Sequence, residues 1–253
     1  MKNSPILLSL ITLTISALCS LPTHAANFKI SLGIREVNGT GPAFANGGAS
    51  GGIEWVNLDG QNLAIDGTWQ KFTFTPTTDT LTLFAGATAN GTLDTDWVTL
   101  EHIRILNSDG ITTPVILRLD DIANTTSTGS VIQSFETSTT GTEVIFQEPT
   151  FSGSTSSSLV PAASSSLVTE SAAFTGVKSN EIKFQFVNAT PTNWIRLTSN
   201  ATPTGLNPFM LARQTGFAPT ISFYAQAFLV PEPTTAILGL LSLGLLGTQR
   251  RRK

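Results

Sequence analysis

From Ala26 to Val230 the apolar residues fall on every second position and almost nowhere at the three-and-four spacing of a helix. Phe72 and Phe74 alternate with Lys71 and Thr73, Ile103 and Ile105 with His102 and Arg104, and Leu117 and Leu119 with Arg118 and Asp120. The pattern returns in Ile182, Phe184 and Phe186 against Lys183 and Gln185, in Ile195 and Leu197 against Arg196, and in Ile221 and Phe223 against Ser222 and Tyr224. Period two sends alternate side chains to opposite faces of an extended strand, so each run is a strand with one buried face. Many short strands separated by Gly, Asn and Pro turns predict an all-β fold of the sandwich type.

About 200 residues of this kind suffice for one large or two small domains. The stretch Ala123-Asn-Thr-Thr-Ser-Thr-Gly-Ser130 has no large apolar residue to bury and follows a strand ending Leu119-Asp120-Asp121-Ile122. A division there predicts two small jelly-roll-like β-sandwich units, 27–123 and 131–230, each near the size of a small domain. One continuous larger sandwich is the alternative. A second polar stretch, Ser152 to Ser166, reads as a long loop within the second unit.

Both ends carry export signals. Residues 1–25 hold one cation, Lys2, an apolar run from Ile6 to Leu18, and Thr23-His24-Ala25 as a small-x-small cleavage site, the pattern of a secretory signal peptide with its helix. Leu18 precedes Cys19 where a lipid-modified terminus requires a small residue. Removal of residues 1–25 takes away Cys19 and His24, so disulfides and thiolate metal sites are excluded and His102 is the one histidine left. The remaining body, 26–230, has nine Lys or Arg against sixteen Asp or Glu, a net charge of −7. Such an acidic body is a poor match for phosphate backbones and argues against nucleic acid as a partner.

The C-terminus reads VPEPTTAILGLLSLGLLGTQRRRK. Pro231-Glu232-Pro233 interrupts any regular structure, because each proline lacks a backbone donor and fixes φ. From Ala236 to Gly247 all residues but Ser242 are apolar or small, and with its flanks the segment approaches the roughly 17 residues that span hydrocarbon. Arg250, Arg251, Arg252 and Lys253 then supply a cytoplasmic positive cluster, which predicts a C-terminal transmembrane helix with the body outside. This order of Pro-Glu-Pro, short apolar span and terminal basic cluster resembles the PEP-CTERM sorting signal of bacterial exported proteins. The resemblance implies processing by an exosortase, a membrane enzyme cleaving near the Pro-Glu-Pro, with transient anchoring followed by release to the cell surface or extracellular matrix.

In the body, GTWQKFTFTP, LTLFAG, DWVTLEHIRILNSDG and PVILRLDDI follow one another in a way that resembles the latter half of the galactose-binding-like jelly rolls among carbohydrate-binding modules. FQFVNATPTNWIRLTS in the second unit is similar in style. The resemblance implies binding of carbohydrate, with an extracellular polysaccharide as partner, in preference to catalysis.

Sugar binding needs aromatic faces for the C–H side of a pyranose and amides or guanidinium groups for its hydroxyls. Alternation points Trp69, Trp194 and Tyr224 away from the core, with Arg196 beside Trp194 and Gln226 beside Tyr224, while Trp55 and Trp97 adjoin expected turns. For calcium, hard oxygen ligands are available in Glu36, Asp94, Asp96, Asp120 and Asp121. By resemblance, the strand carrying Asp120 and Asp121 is a structural calcium position in some relatives, with Glu36 as a further candidate ligand. Asp94-x-Asp96 is not an EF-hand loop, since Val98 and Thr99 follow where a ligand and a glycine belong. The glycine-rich segment from Gly39 to Gly52 fails as a phosphate loop because Phe44 stands in the place of its third glycine and no helix follows.

Catalysis has little to stand on. A serine triad would have to use His102, and no Gly-x-Ser-x-Gly elbow is present. A glycosidase needs two carboxylates with separated pKa values, which spacing alone does not reveal. The reading is therefore a non-catalytic exported protein that binds polysaccharide, against a purely structural surface protein, glycosylated or self-associating, as the main alternative and a glycoside hydrolase as a minor one.

Overall fold

The computed structural model describes residues 26–37, 51–201 and 207–230, with the side chain of Gln133 excepted. The expected signal peptide, the glycine-rich segment up to residue 50 and the C-terminal span lie outside the described residues. The described residues form twelve strands: β1 (Asn27–Glu36), β2 (Ile53–Ala64), β3 (Trp69–Phe74), β4 (Leu81–Ala85), β5 (Trp97–Leu106), β6 (Val115–Thr126), β7 (Gly129–Gln133), β8 (Ser165–Thr169), β9 (Ser179–Phe184), β10 (Trp194–Thr198), β11 (Phe209–Leu211) and β12 (Thr220–Leu229). Apart from two single turns of 3-10 helix at Ser156–Ser158 and Pro161–Ala163, inside the polar stretch read as a loop, they contain no helix.

The strands make two antiparallel sheets. Sheet I runs β10-β5-β1-β2-β4, with β11 also on β5, and sheet II runs β3-β12-β6-β9-β8, with β7 also on β6. Their inner faces pack together in one apolar cluster, in which Phe28 of β1 meets Phe184 of β9 and Phe186 with ring centroids 5.7 and 6.3 Å apart. Alternation sets this packing directly. In β3, Phe72 and Phe74 are buried while Lys71 and Thr73 are exposed, and in β9 Ile182 and Phe184 are buried about an exposed Lys183.

The division into two units does not follow the sheets. β10 and β11 pair with β5 across the expected boundary, and β6 and β3 pair with β12. The segment 123–130 is no linker, since β6 continues to Thr126 and turns tightly into β7. Its threonines and serines belong to an exposed hairpin, which needs no large apolar residues, so polarity alone mimicked a boundary. The described strands build one sandwich with interleaved halves.

Two breaks in the alternation shape the outer faces. Gly33 pairs with His102 but Ile34 with Leu100, so Glu101 is an extra residue in β5. Ser222 pairs with Ala123 but Tyr224 with Asp120, which puts an extra residue into β6 beside Asp121, whose φ is +47°. Each is a β-bulge, and each lets two consecutive polar side chains act together.

Candidate functional site

The outer face of sheet I is built around a missing side chain. His102, Gly33 and Trp55 form one row across β5, β1 and β2. With no Cβ at Gly33, the imidazole lies over the backbone there, and a Cβ at that position would stand 2.0 Å from His102 Cε1. Trp55 reaches across from the other side, its Nε1–H donating to His102 Nε2 at 3.0 Å. The bulge sets Glu101 beside His102, and its carboxylate takes up the imidazole Nδ1 and the Arg196 guanidinium in short contacts. Arg35 Nη2 lies 3.7 Å from the same carboxylate.

Aromatic rings close over this row. Phe84 of β4 stacks on Trp55 with centroids 4.4 Å apart, and Trp194 of β10 meets both edge-on at 5.7 and 5.9 Å. Arg104 Cζ sits 5.5 Å from the Trp55 centroid and 5.6 Å from that of Trp194, while Arg196 Cζ lies 5.3 Å from Phe84. Trp55, Phe84, Trp194, Arg104 and Arg196 are all half-buried, leaving a mixed aromatic and cationic surface open to solvent.

The electrostatics follow from the cover. Burial pushes the Glu101 carboxyl up, but the hydrogen bond from His102 and the charge and hydrogen bond of Arg196 outweigh it and hold its pKa at about 2. His102 is 0 % exposed, and burial drives its pKa down against the pull of Glu101, so it is neutral at pH 7. Neutral, it donates from Nδ1 to Glu101 and accepts Trp55 at Nε2, which leaves neither ring nitrogen for a substrate.

Of the residues expected to bind sugar, Trp55, Trp194 and Arg196 thus come together. Trp55 stands inside β2 rather than beside a turn, because β2 continues through it to Ala64. Trp69, Tyr224 and Gln226 meet instead on the outer face of sheet II. There Phe174 lies flat on Tyr224 at 3.5 Å with its edge to Trp69 at 6.1 Å, and Gln226 is held by Arg118 and by the Gly67 carbonyl. Trp97 is separate from both. It opens β5, stacks on Phe209 at 5.0 Å and lines an end cavity of about 350 Å³ with Ile122, Val131 and Met210.

The proposed calcium ligands do not assemble. Glu36 lies on β1 of sheet I and Asp120 and Asp121 on β6 of sheet II. Asp120 is fully buried, and its oxygens accept the N–H groups of Phe174, Thr175 and Asp121, while Asp121 accepts the Thr175 hydroxyl. Burial raises the Asp120 pKa against those bonds. Glu36 accepts the Asp94 N–H at 2.5 Å, Glu54 beside it accepts those of Asn90 and Gly91, and Asp96 pairs with Arg213 at 2.7 Å. Among the described residues no three His, Cys, Asp or Glu side chains are placed to share a metal ion, and these carboxylates act as loop clasps.

Gly33, Phe84, Glu101 and Arg104 escaped the sequence reading as site residues. The signal for Glu101 was present: Glu101-His102, like Asp120-Asp121, is a consecutive polar pair within an alternating run, the mark of a bulge. Phe84 carried none, since it reads like any core residue of LTLFAG.

The sorting-signal residues Pro231, Glu232, Pro233, Arg250, Arg251 and Arg252 lie outside the described residues, and among the described residues no helix is long and apolar enough to cross a membrane. Neither a curated protein nor a solved structure matches the chain, so no match supports the galactose-binding-like likeness of the body. The PEP-CTERM protein-sorting motif does match, over residues 229–253, beginning at the last residue of β12. That motif implies export, surface localisation through a C-terminal sorting signal, and an exosortase as processing partner.

Proposed function

We propose that this exported, C-terminally sorted protein binds extracellular polysaccharide on the outer face of sheet I, without catalysis, and is held to the membrane by its C-terminal span until processed. The observation that carries the reading is the convergence of Trp55, Phe84 and Trp194 with Arg104 and Arg196 on one solvent-facing surface. Stacking against a pyranose takes such rings, and each buried CH group contributes through its removal from water. An outer sheet face on which rings from three strands stand together suits a polymer better than a small molecule.

His102 is the reason for reading no turnover into this face. It is enclosed, neutral and bonded at both nitrogens, and Glu101 is held as a carboxylate between His102 and Arg196, which leaves no proton donor of raised pKa beside it. The reading is tested by co-sedimenting the full-length chain with the extracellular polysaccharide of the producing cells. Trp194→Ala and Phe84→Ala are expected to lower the bound fraction about tenfold or more, from ~1–2 kcal/mol per lost ring. Wild-type binding unchanged in both variants would sink the proposal, and release of reducing sugar would show a hydrolase.

A further inference from the structure

We infer that the polymer this face takes is a polyuronate, and that Arg104 binds its carboxylate; the inference rests on the polysaccharide reading and narrows it. Three guanidinium groups reach this face. Arg196 and Arg35 are drawn to Glu101, whose charge they offset. Arg104 has no such partner. Its one hydrogen bond runs from Nη1 to the Leu58 carbonyl at 3.1 Å, its Nε is buried with no acceptor, and among the described residues it makes no ion pair within 4 Å.

A half-buried guanidinium between two indoles has given up much of its water, and the rings return only part of that loss. Burial accordingly presses its pKa down, with exposed Asp59 opposing only through space. A charge kept in this state with no counter-ion in contact among the described residues is what an anion site looks like before its ligand arrives. The charge of this face fits such a ligand locally, since Arg35, Arg104 and Arg196 outnumber Glu101 here although the body as a whole carries a net −7. A carboxylate on a pyranose satisfies both halves of the surface at once: the ring lies against Trp194, which meets Trp55 and Phe84 only edge-on, and the planar carboxylate meets the planar guanidinium.

The test compares binding of the full-length chain to polygalacturonate and to the same polymer after carboxyl reduction. The wild type is expected to bind the acidic form about ten- to a hundredfold more tightly, the effect of one charge-assisted contact. Arg104→Gln should lose that preference, and Arg104→Lys should retain part of it, with a thermal melt establishing that both fold. Arg213→Gln, which removes a cation paired with Asp96, should bind as the wild type does. Equal wild-type affinity for both polymers, with loss in Trp194→Ala, would overturn the polyuronate assignment and leave the polysaccharide reading standing. A preference for the acidic form that survives Arg104→Gln would overturn the role of Arg104, and wild-type binding to neither polymer nor the native polysaccharide would overturn both readings.

Discussion

Replacing Gly33 by alanine tests the framework on which the whole face depends. The added Cβ would lie 2.0 Å from His102 Cε1, 2.3 Å from Nδ1 and 2.6 Å from Nε2, far inside contact distance. The imidazole is 0 % exposed and bonded on both sides, so it can yield only by breaking with Glu101 or Trp55. Overpacking of this kind costs ~1–3 kcal/mol, and one buried polar group left unpaired adds ~1–3 kcal/mol. We expect a loss of ~2–5 kcal/mol, which for a body of this size lowers the melting temperature by roughly 5–15 °C. Urea unfolding followed by tryptophan fluorescence gives the value. The same change in a His102→Ala background meets no ring and should cost under ~1 kcal/mol, a coupling of at least ~1–2 kcal/mol. Equal cost in the two backgrounds would refute the packing of His102 across Gly33.

Three further outcomes follow from the site and its clasps. Glu101 has a folded pKa near 2, below its ordinary 4.5, so its stabilising contribution is complete above about 4.5 and is lost as pH falls toward 2. Urea midpoints measured between pH 6 and pH 2.5 should show an acid limb that Glu101→Gln flattens, and an unchanged limb in that variant would assign it to other carboxylates. Asp120→Asn keeps one acceptor oxygen where the carboxylate used two, so the amides of Phe174 and Thr175 should exchange with solvent faster while those of β1 stay protected. A chelator should leave the melting temperature where it was, because Glu36 and Asp120 already accept backbone N–H groups. A fall of several degrees would reveal a stabilising metal.

Much of the architecture was legible because alternation is a local signal. The pairs Phe72 and Phe74, Ile182 and Phe184, and Ile195 and Leu197 all point inward as their spacing requires, and Trp69, Trp194 and Tyr224 lie on outer faces. What the spacing does not carry is which strands become neighbours. Trp194 and Trp55 lie far apart in the chain and meet only because β10 joins β5 while β2 joins β1. For the same reason the polar hairpin 123–130 looked like a border between domains, although strands from both sides of it fill each sheet. His102 shows the complementary failure. Alternation places it correctly on the polar face, yet Trp55, Phe84 and Trp194 bury it there, and no period within β5 encodes a cover supplied by three other strands.

The route by which the chain leaves the fold bears on how the face would be used. β12 lies between β3 and β6 in sheet II, and Val230, bonded through its N–H to the Pro114 carbonyl at 2.8 Å, is the last described residue before the Pro-Glu-Pro. The aromatic and cationic surface faces outward from sheet I, on the far side of the apolar core. β12 thus ends in sheet II, and Trp55, Phe84 and Trp194 lie on the other sheet. Under the proposed function, the sorting signal that follows β12 and the polymer-binding face belong to opposite sheets. That separation predicts that glycan binding by the outer face of sheet I is the same before and after cleavage at the sorting signal, which affinity measured on the uncleaved and the processed forms decides directly.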